Sequence, residues 1–250
     1  VETLLRLRNL IEVRLLYDQT RALNEQLAES NADLERFAFV ASHDLQEPLR
    51  SVTRYVQMLE KKYSDDLDDT ATRYIGPAVE GPKRLQTLIL ALLDYARVGS
   101  RGEMFMPVDA TALVHRVVSD LSAQVADTQA TITTDALPTV LGDEQQLTQL
   151  LQNLIGNALK FRNEASPEVH VSAAETDGAW TFAVADNGIG FEPEYAEQVF
   201  EIFQRLHGRG TYDGTGIGLA VCRKIVQRHG GRIWVDSLPG QGATFHFTIP

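Results

Sequence analysis

The stretch RFAFVASHDLQEPLRS, residues 36–51, decides how this chain is read. One register with alternating steps of three and four runs through it. It takes in Leu10, Val13, Tyr17, Thr20, Asn24, Leu27, Asn31, Leu34, Ala38, Ala41, Leu45, Val52, Tyr55 and Leu59. That is a heptad seam with its a positions at residues 10, 17, 24, 31, 38, 45, 52 and 59. Counting on from Ala38 at a, His43 falls at f, the position farthest from a partner helix. The spacing therefore predicts a histidine presented to solvent on a helix that dimerises.

Working outward, residues 1–36 contain no Pro or Gly and read as one continuous helix, a coiled-coil linker. Tyr17, Thr20, Asn24 and Asn31 leave its seam imperfect, and polar a positions weaken a dimer while fixing its register. The helix should continue past His43 to about Lys62, with Pro48 removing one backbone hydrogen bond and bending it. YSDDLDD, residues 63–69, breaks the period and reads as a connecting loop. A second helix is expected over about 69–98, with Ile75, Val79, Leu85, Leu88, Leu92 and Tyr95 on one face and interruptions at Gly76-Pro77 and Gly81-Pro82. Two amphipathic helices cannot bury their stripes alone, but paired with a second copy they make a four-helix bundle. VGSRGE, 98–103, is the best boundary. The expected organisation is a coiled coil over 1–36, a dimerising hairpin over 37–100, and an α/β unit over 101–250.

The 250 residues carry a net charge of −11 and a pI near 5.0, which argues against nucleic acid or anionic membrane as partners. The single cysteine, Cys222, excludes an intrachain disulfide and fits a reducing, cytoplasmic compartment. No apolar run approaches the roughly 18–20 residues needed to span a bilayer. The chain opens on Val1 within the heptad pattern, as expected of a C-terminal portion whose upstream sensor domain is not in this chain.

From Met104 the pattern turns α/β. MFMPV reads as a strand, 109–127 as a helix, TITTD and TVL as short strands, and 143–161 as a strongly amphipathic helix. EVHVSAAE and WTFAVAD alternate as a hairpin around Asp177-Gly178, a helix follows at 217–229, and RIWVDS and ATFHFTI close a sheet. On the wheel of 143–161, Leu147, Leu150, Leu151, Leu154, Ala158 and Phe161 share one face. Asn153, Asn157 and Lys160 stand within an arc of about 60° off that face. Two amides and an ammonium in a row can ligate a hard cation through oxygen and pair with phosphates. VADNGIGF then places Asp186, Gly188 and Gly190 at a strand end, where a carboxylate can accept from an amine while backbone closes on a flat ring. GTGIGLA puts Gly214, Thr215, Gly216 and Gly218 just before a helix, whose free N–H groups cradle phosphate. The intervening FEIFQRLHGRGTYD reads as a lid carrying Arg205, His207 and Arg209 near the phosphates. Cys222 reads as a core residue, Trp180 and Trp234 as sheet packing, and His115, His170, His229 and His246 lack metal-ligand spacing.

These boxes together resemble the transmitter region of a two-component sensor histidine kinase, over residues 34 to 250, and HDLQEPL is similar to the box of phytochrome-type kinases. The resemblance rests on His43, Asn153 with Asn157, Asp186 with Gly188 and Gly190, Phe200 with Phe203, and Gly214 to Gly218. It implies a dimeric phosphotransfer bundle followed by an ATP-binding α/β sandwich of the GHKL (Bergerat) type. By resemblance, Asp186 would hold the adenine amine, Asn157 the Mg2+ ion, and Thr244 would support the adenine. His43 would take the γ-phosphoryl group of ATP, with Asp44 accepting from Nδ1–H so that Nε2 attacks. The phosphoryl group would pass in trans to an aspartate on the receiver domain of a separate response regulator.

Two residues depart from the family pattern. Glu47 stands where members often have Thr or Asn, which puts regulator dephosphorylation in doubt. Asn153 stands where related ATPases carry a Glu base, and an amide cannot take a proton, which favours transfer over hydrolysis. The rival expectations are a phosphatase of the regulator, a GHKL-type ATPase, and a degenerate nucleotide-binding module that signals through dimer contacts.

Overall fold

The computed structural model describes residues 2–63, 68–98, 104–176, 178–206 and 214–250; some side chains of the first helix lie outside the description. The heptad stretch forms one helix, α1 (Glu2–Tyr63), and α2 (Asp69–Arg97) returns beside it. Asp68 caps α2, its Oδ1 accepting from the Ala71 N–H at 2.6 Å. The expected interruptions at Gly76-Pro77 and Gly81-Pro82 do not end this helix. A proline forfeits one hydrogen bond of a turn, and the hairpin packing that buries Val79 holds the rest.

Of the face expected to pack on α2, Val79 is buried and Ile75, Leu88 and Tyr95 are half-buried, while Leu85 and Leu92 stay exposed and Ile89 and Leu93 are buried instead. The reason is a second neighbour. Leu88, Ala91, Tyr95 and Val98 pack against the α/β core. On α1, Leu10, Val13, Tyr17, Leu45, Val52, Tyr55 and Leu59 remain exposed in the single copy, an uncovered seam such as a bundle of two hairpins would bury. His43 lies within α1, and the solvent-facing ring expected of it belongs to a side chain outside the described residues.

The α/β unit begins with β1 (Met106–Asp109) and α3 (Ala110–Asp120). It continues through α4 (Ser122–Thr128), β2 (Thr131–Thr134), β3 (Thr139–Gly142) and α5 (Glu144–Lys160). The hairpin β4 (Glu168–Thr176) and β5 (Ala179–Asp186), then α6 (Gly218–Arg228), β6 (Ile233–Ser237) and β7 (Ala243–Ile249), complete it. The single helix expected over 109–127 is two, because Leu121 leaves the helical region at φ −91°, ψ 8°. Leu113, Val117, Leu121 and Val125 are spaced by four, so a straight helix would carry Val125 about 120° away from Leu113. The break at Leu121 lets both ends reach the core.

β1 and β3 pair with each other; the main sheet runs β2-β4-β5-β7-β6, parallel only between β2 and β4. Alternation sends Val169, Val171, Phe182, Val184, Phe245, Phe247 and Ile249 to one face, under α3, α5 and α6. Phe182 stacks on Phe247 at 4.9 Å. Trp180 packs at the edge of this core, Trp234 stacks on His246 at 5.2 Å, and Cys222 is fully buried, in keeping with their expected places in core and sheet. Lys224 ties the two units, its Nζ donating to the Tyr95 carbonyl at 2.8 Å and the Ala96 carbonyl at 3.3 Å, in the last turn of α2.

His229 joins two helices of this unit. Its Nε2 accepts from the Asp143 N–H at 3.0 Å, and its Nδ1–H donates to the Ile225 carbonyl at 2.8 Å. Phe105 stacks on the ring at 4.5 Å. Both nitrogens are used in the neutral form. Burial pushes the His229 pKa below its ordinary value, and Arg228 adds to this against the Ile225 carbonyl and Asp143. The unfolded chain therefore binds the proton more tightly, with a histidine pKa near ~6.5, and stability falls as pH drops through that value toward the folded pKa. The melting temperature should decline between about pH 7 and pH 5, and His229→Gln should flatten that decline; equal slopes in the two proteins would contradict the assignment.

Candidate functional site

The site is built on α5. Asp143 starts the helix, its Oδ1 accepting from the Gln146 N–H at 3.2 Å while its Oδ2 holds Arg228 at 3.0 Å. Leu147, Leu150, Leu151, Leu154 and Ala158 bury the inner face, which leaves Asn153, Asn157 and Lys160 half-buried along one edge. That edge lines a cavity of about 290 Å³.

Asp186 lines the same cavity, where β5 stops. Its Oδ1 accepts two backbone N–H groups, from Gly188 at 2.8 Å and from Ala243 at 3.2 Å. Burial raises the Asp186 pKa above its ordinary value, opposed by those two hydrogen bonds. With Oδ1 doubly occupied, Oδ2 has no partner among the described residues and is the acceptor left for a ligand. Ile189, Phe191, Val199, Ala243 and Phe245 wall this end, so it suits a flat apolar ring bearing one donor.

Two glycines let the walls close. A Cβ on Gly190, which has φ +59°, would collide with the Leu238 carbonyl oxygen. One on Gly242, with φ +80°, would collide with that of Asp186. Both positions accept only hydrogen.

The polar end is the turn before α6. Gly214, Thr215, Gly216 and Gly218 line it, and the Thr215 hydroxyl accepts from the Ile217 N–H at 3.3 Å. Among the described residues no side chain caps α6, and a helix N-terminus carries N–H groups that suit an anion. Arg205 lines the cavity and donates from Nη1 to the Gly214 carbonyl at 3.1 Å, and the Phe203 N–H donates to the Gly216 carbonyl at 2.9 Å. These bonds tie together the two ends of the segment between them. His207 and Arg209 lie outside the described residues.

Three expected residues do not line the cavity. Gly188 stands behind it, feeding its N–H to Asp186. Phe203 is exposed with φ +66°, held beside the Gly-rich turn by its backbone rather than by its ring. Thr244 is a correction: β7 alternates, so Ala243 and Phe245 line the cavity and Thr244 points to the other face of the sheet. The residues missed are the apolar walls and Gln204, Leu206 and Leu219; their only trace in the sequence was burial periodicity, which does not separate pocket wall from core. His43 and Asp44 do not belong to this cavity; both are carried by α1.

Comparison with known proteins gives this geometry a family. Residues 33–101 match the His Kinase A (phospho-acceptor) domain, and residues 142–250 match the histidine kinase-, DNA gyrase B-, and HSP90-like ATPase. Cyanobacterial phytochrome A of Nostoc sp. is 49% identical over 233 residues, which take in 93% of this chain and 30% of that protein. The chain thus spans under a third of the length of this curated relative. The crystal structure of full-length ShkA in complex with AMPPNP is 32% identical with a TM-score of 0.64, covering 86% of this chain and 45% of that one. Histidine kinase ThkA in complex with response regulator protein TrrA has a TM-score of 0.57 at 23% identity, over 86% of this chain and 61% of that one, a likeness of fold. No helix among the described residues is long and apolar enough to cross a membrane. A helical region that matches the phospho-acceptor domain, joined to an α/β sheet that matches the histidine kinase-type ATPase, gives this chain the two domains of a sensor histidine kinase transmitter.

Proposed function

We propose that this transmitter phosphorylates its own His43 from ATP and passes the phosphoryl group to an aspartate of a separate response regulator. One observation carries the proposal. The cavity pairs a half-buried carboxylate acceptor between apolar walls with a Gly-rich turn, a lysine and two amides at its other end. Adenine fits the first end and a triphosphate the second.

The roles follow from chemistry. Asp186 Oδ2 accepts the exocyclic amine of adenine, with Gly188 and Ala243 holding the other oxygen. Lys160, Arg205, Thr215 and the N–H groups around Gly214, Gly216 and Gly218 meet the phosphates. The neutral oxygen donors of Asn157 and Asn153 fit Mg2+, which keeps most of its waters and takes few protein ligands beside phosphates. Asn157 would hold the ion, which would supply positive charge against that of the phosphates. The transfer forms a P–N bond to His43 as the P–O bond to the departing ADP breaks. Asp44, on the next residue of α1, accepts the Nδ1 proton and leaves Nε2 as the nucleophile. Asn153 has no basic atom to activate water, which disfavours hydrolysis in the same pocket.

The homodimer, the trans-acting regulator and a cytoplasmic location belong to this proposal. The uncovered seam of α1 supports the dimer, and the ThkA complex supports the regulator as a partner that this fold accommodates. The identity to a phytochrome across the phospho-acceptor region supports reading HDLQEPL as a phytochrome-type box. We assign residues 1–36 to the coiled-coil linker, 37–100 to dimerisation and phosphotransfer, and 101–250 to ATP binding.

Incubation with γ-labelled ATP and Mg2+ should give acid-labile, base-stable label on the protein, and His43→Gln should abolish it. Steady phosphate release from an unlabelled protein would replace the proposal with an ATPase, and label surviving in His43→Gln would move the acceptor elsewhere.

Asp186→Asn keeps one oxygen for the two backbone donors and sets an NH2 group where Oδ2 stood. ATP affinity should fall by about tenfold or more, the worth of a hydrogen bond to a charged group. Because the folded pKa of Asp186 is raised, the stability linked to its protonated form is present below the unfolded pKa and lost as pH rises through the folded one. At neutral pH the buried charge is a liability. The nucleotide-free Asp186→Asn protein should therefore melt higher than the parent; a lower melting temperature would contradict this.

A further inference from the structure

We propose that Phe161 is a positioning residue for the ATP site: the face of its ring carries the Lys160 ammonium and holds it toward the phosphate end of the cavity. The inference deepens the proposed function and rests on it, since it concerns how the same pocket presents its cation to a triphosphate.

α5 ends at Lys160, and Phe161 is its C-cap, with φ −90° and ψ 42°. The helical wheel groups Phe161 with the core face, but the residue is half-buried and lines the cavity. Its backbone is fixed from both sides. The Phe161 N–H donates to the Asn157 carbonyl at 2.9 Å, and the Phe161 carbonyl accepts from the Ile189 N–H at 2.9 Å. A Cβ on Gly188 would collide with that same carbonyl oxygen, so the loop closes on it only with hydrogen there. The Cα that carries the ring is thus held between α5 and the loop that follows Asp186.

The Lys160 Nζ lies over this ring, 4.4 Å from its centroid. The same nitrogen reaches the Gly-rich turn, where a Cβ on Gly214 would come within 2.6 Å of it. The ammonium therefore stands where ring and turn meet, and Lys160, Phe161 and Gly214 all line the cavity. A lysine is a flexible stem with a strongly hydrated head, and fixing it only when a ligand arrives costs rotamer freedom. A ring face attracts the cation beforehand, and does so more strongly where water is kept away. Unlike a carboxylate, the ring brings no net negative charge, so the charge of the ammonium is left for phosphate oxygens. The cation is placed without being neutralised, and less order has to be imposed when a triphosphate binds.

Calorimetric titration of the whole chain with ATP and Mg2+ tests this as a cycle with Lys160. Phe161→Leu removes the ring and should weaken ATP binding by about fivefold, the worth of one cation–π contact. Phe161→Tyr keeps the ring face and should stay within about twofold of the parent. In a Lys160→Met background the Phe161→Leu change should have no further effect. Equal losses in both backgrounds would make the ring a wall for the base alone, and an unchanged affinity in Phe161→Leu would mean that the lysine is placed without it; either result overturns the proposal. Melting curves accompany each variant, and Phe161→Met carries the same cycle should the leucine protein not fold. In the nucleotide-free parent, ring shielding should move the Lys160 methylene protons beside Nζ upfield of an ordinary lysine, and Phe161→Leu should return them. Absence of that shift would also overturn the proposal. Failure of the parent chain to bind ATP while the shift is present would instead sink the nucleotide assignment on which this inference rests.

Discussion

A single carboxylate oxygen, Asp186 Oδ1, accepting from the backbone of both Gly188 and Ala243, holds the nucleotide end of this molecule together. The bond to Ala243 bridges the end of β5 to the start of β7, where the register sets Ala185 against Thr244. The close approach that makes it possible needs Gly242 to carry no side chain, since the Asp186 carbonyl occupies that space. The charge is held against its own burial, which raises its pKa, so the protein carries a local cost in stability for an acceptor aimed into an apolar cleft. Such an arrangement makes sense only with a ligand donor to meet it.

The rest of the α/β unit supports that acceptor from two sides. α5 brings amides and Lys160 along one edge, its start secured by Asp143 bonded to Arg228 and its inner face buried against the sheet. α6 begins at the Gly-rich turn and ends at His229, whose ring is locked to Asp143 at the start of α5. The two helices that shape the phosphate end are therefore joined at their far ends by one buried polar cluster. Lys224 on α6 also reaches the last turn of α2, so the helix that offers its N-terminus to phosphate grips the phospho-acceptor hairpin two turns later.

Much of this was legible in the sequence where helical periodicity carried it. The long α1, the α5 edge of Asn153, Asn157 and Lys160, and the turn at Gly214 to Gly218 follow from side chains whose spacing admits few alternatives. What failed depended on neighbours that a single segment does not encode. Thr244 and Ala243 differ only in strand parity, and parity relative to the pocket is set by pairing of β7 with β5. The break at Leu121 arises because two half-helices reach a core that a straight one would leave. On α2, Leu88 and Tyr95 turn to the α/β unit while Leu85 and Leu92 stay exposed, a division decided by a second packing partner. The apolar walls of the cavity look like core in sequence because Val199, Ala243 and Phe245 belong to the core as well as to the cavity.

The most direct test asks whether the buried acceptor reads an amine. Binding of ATP should be compared with that of inosine triphosphate, which carries a carbonyl where adenine has its exocyclic NH2. The account predicts that ATP binds tighter by roughly tenfold to a hundredfold, because a ring carbonyl set against Asp186 Oδ2 leaves two acceptors facing each other. Equal affinities for the two nucleotides would contradict it.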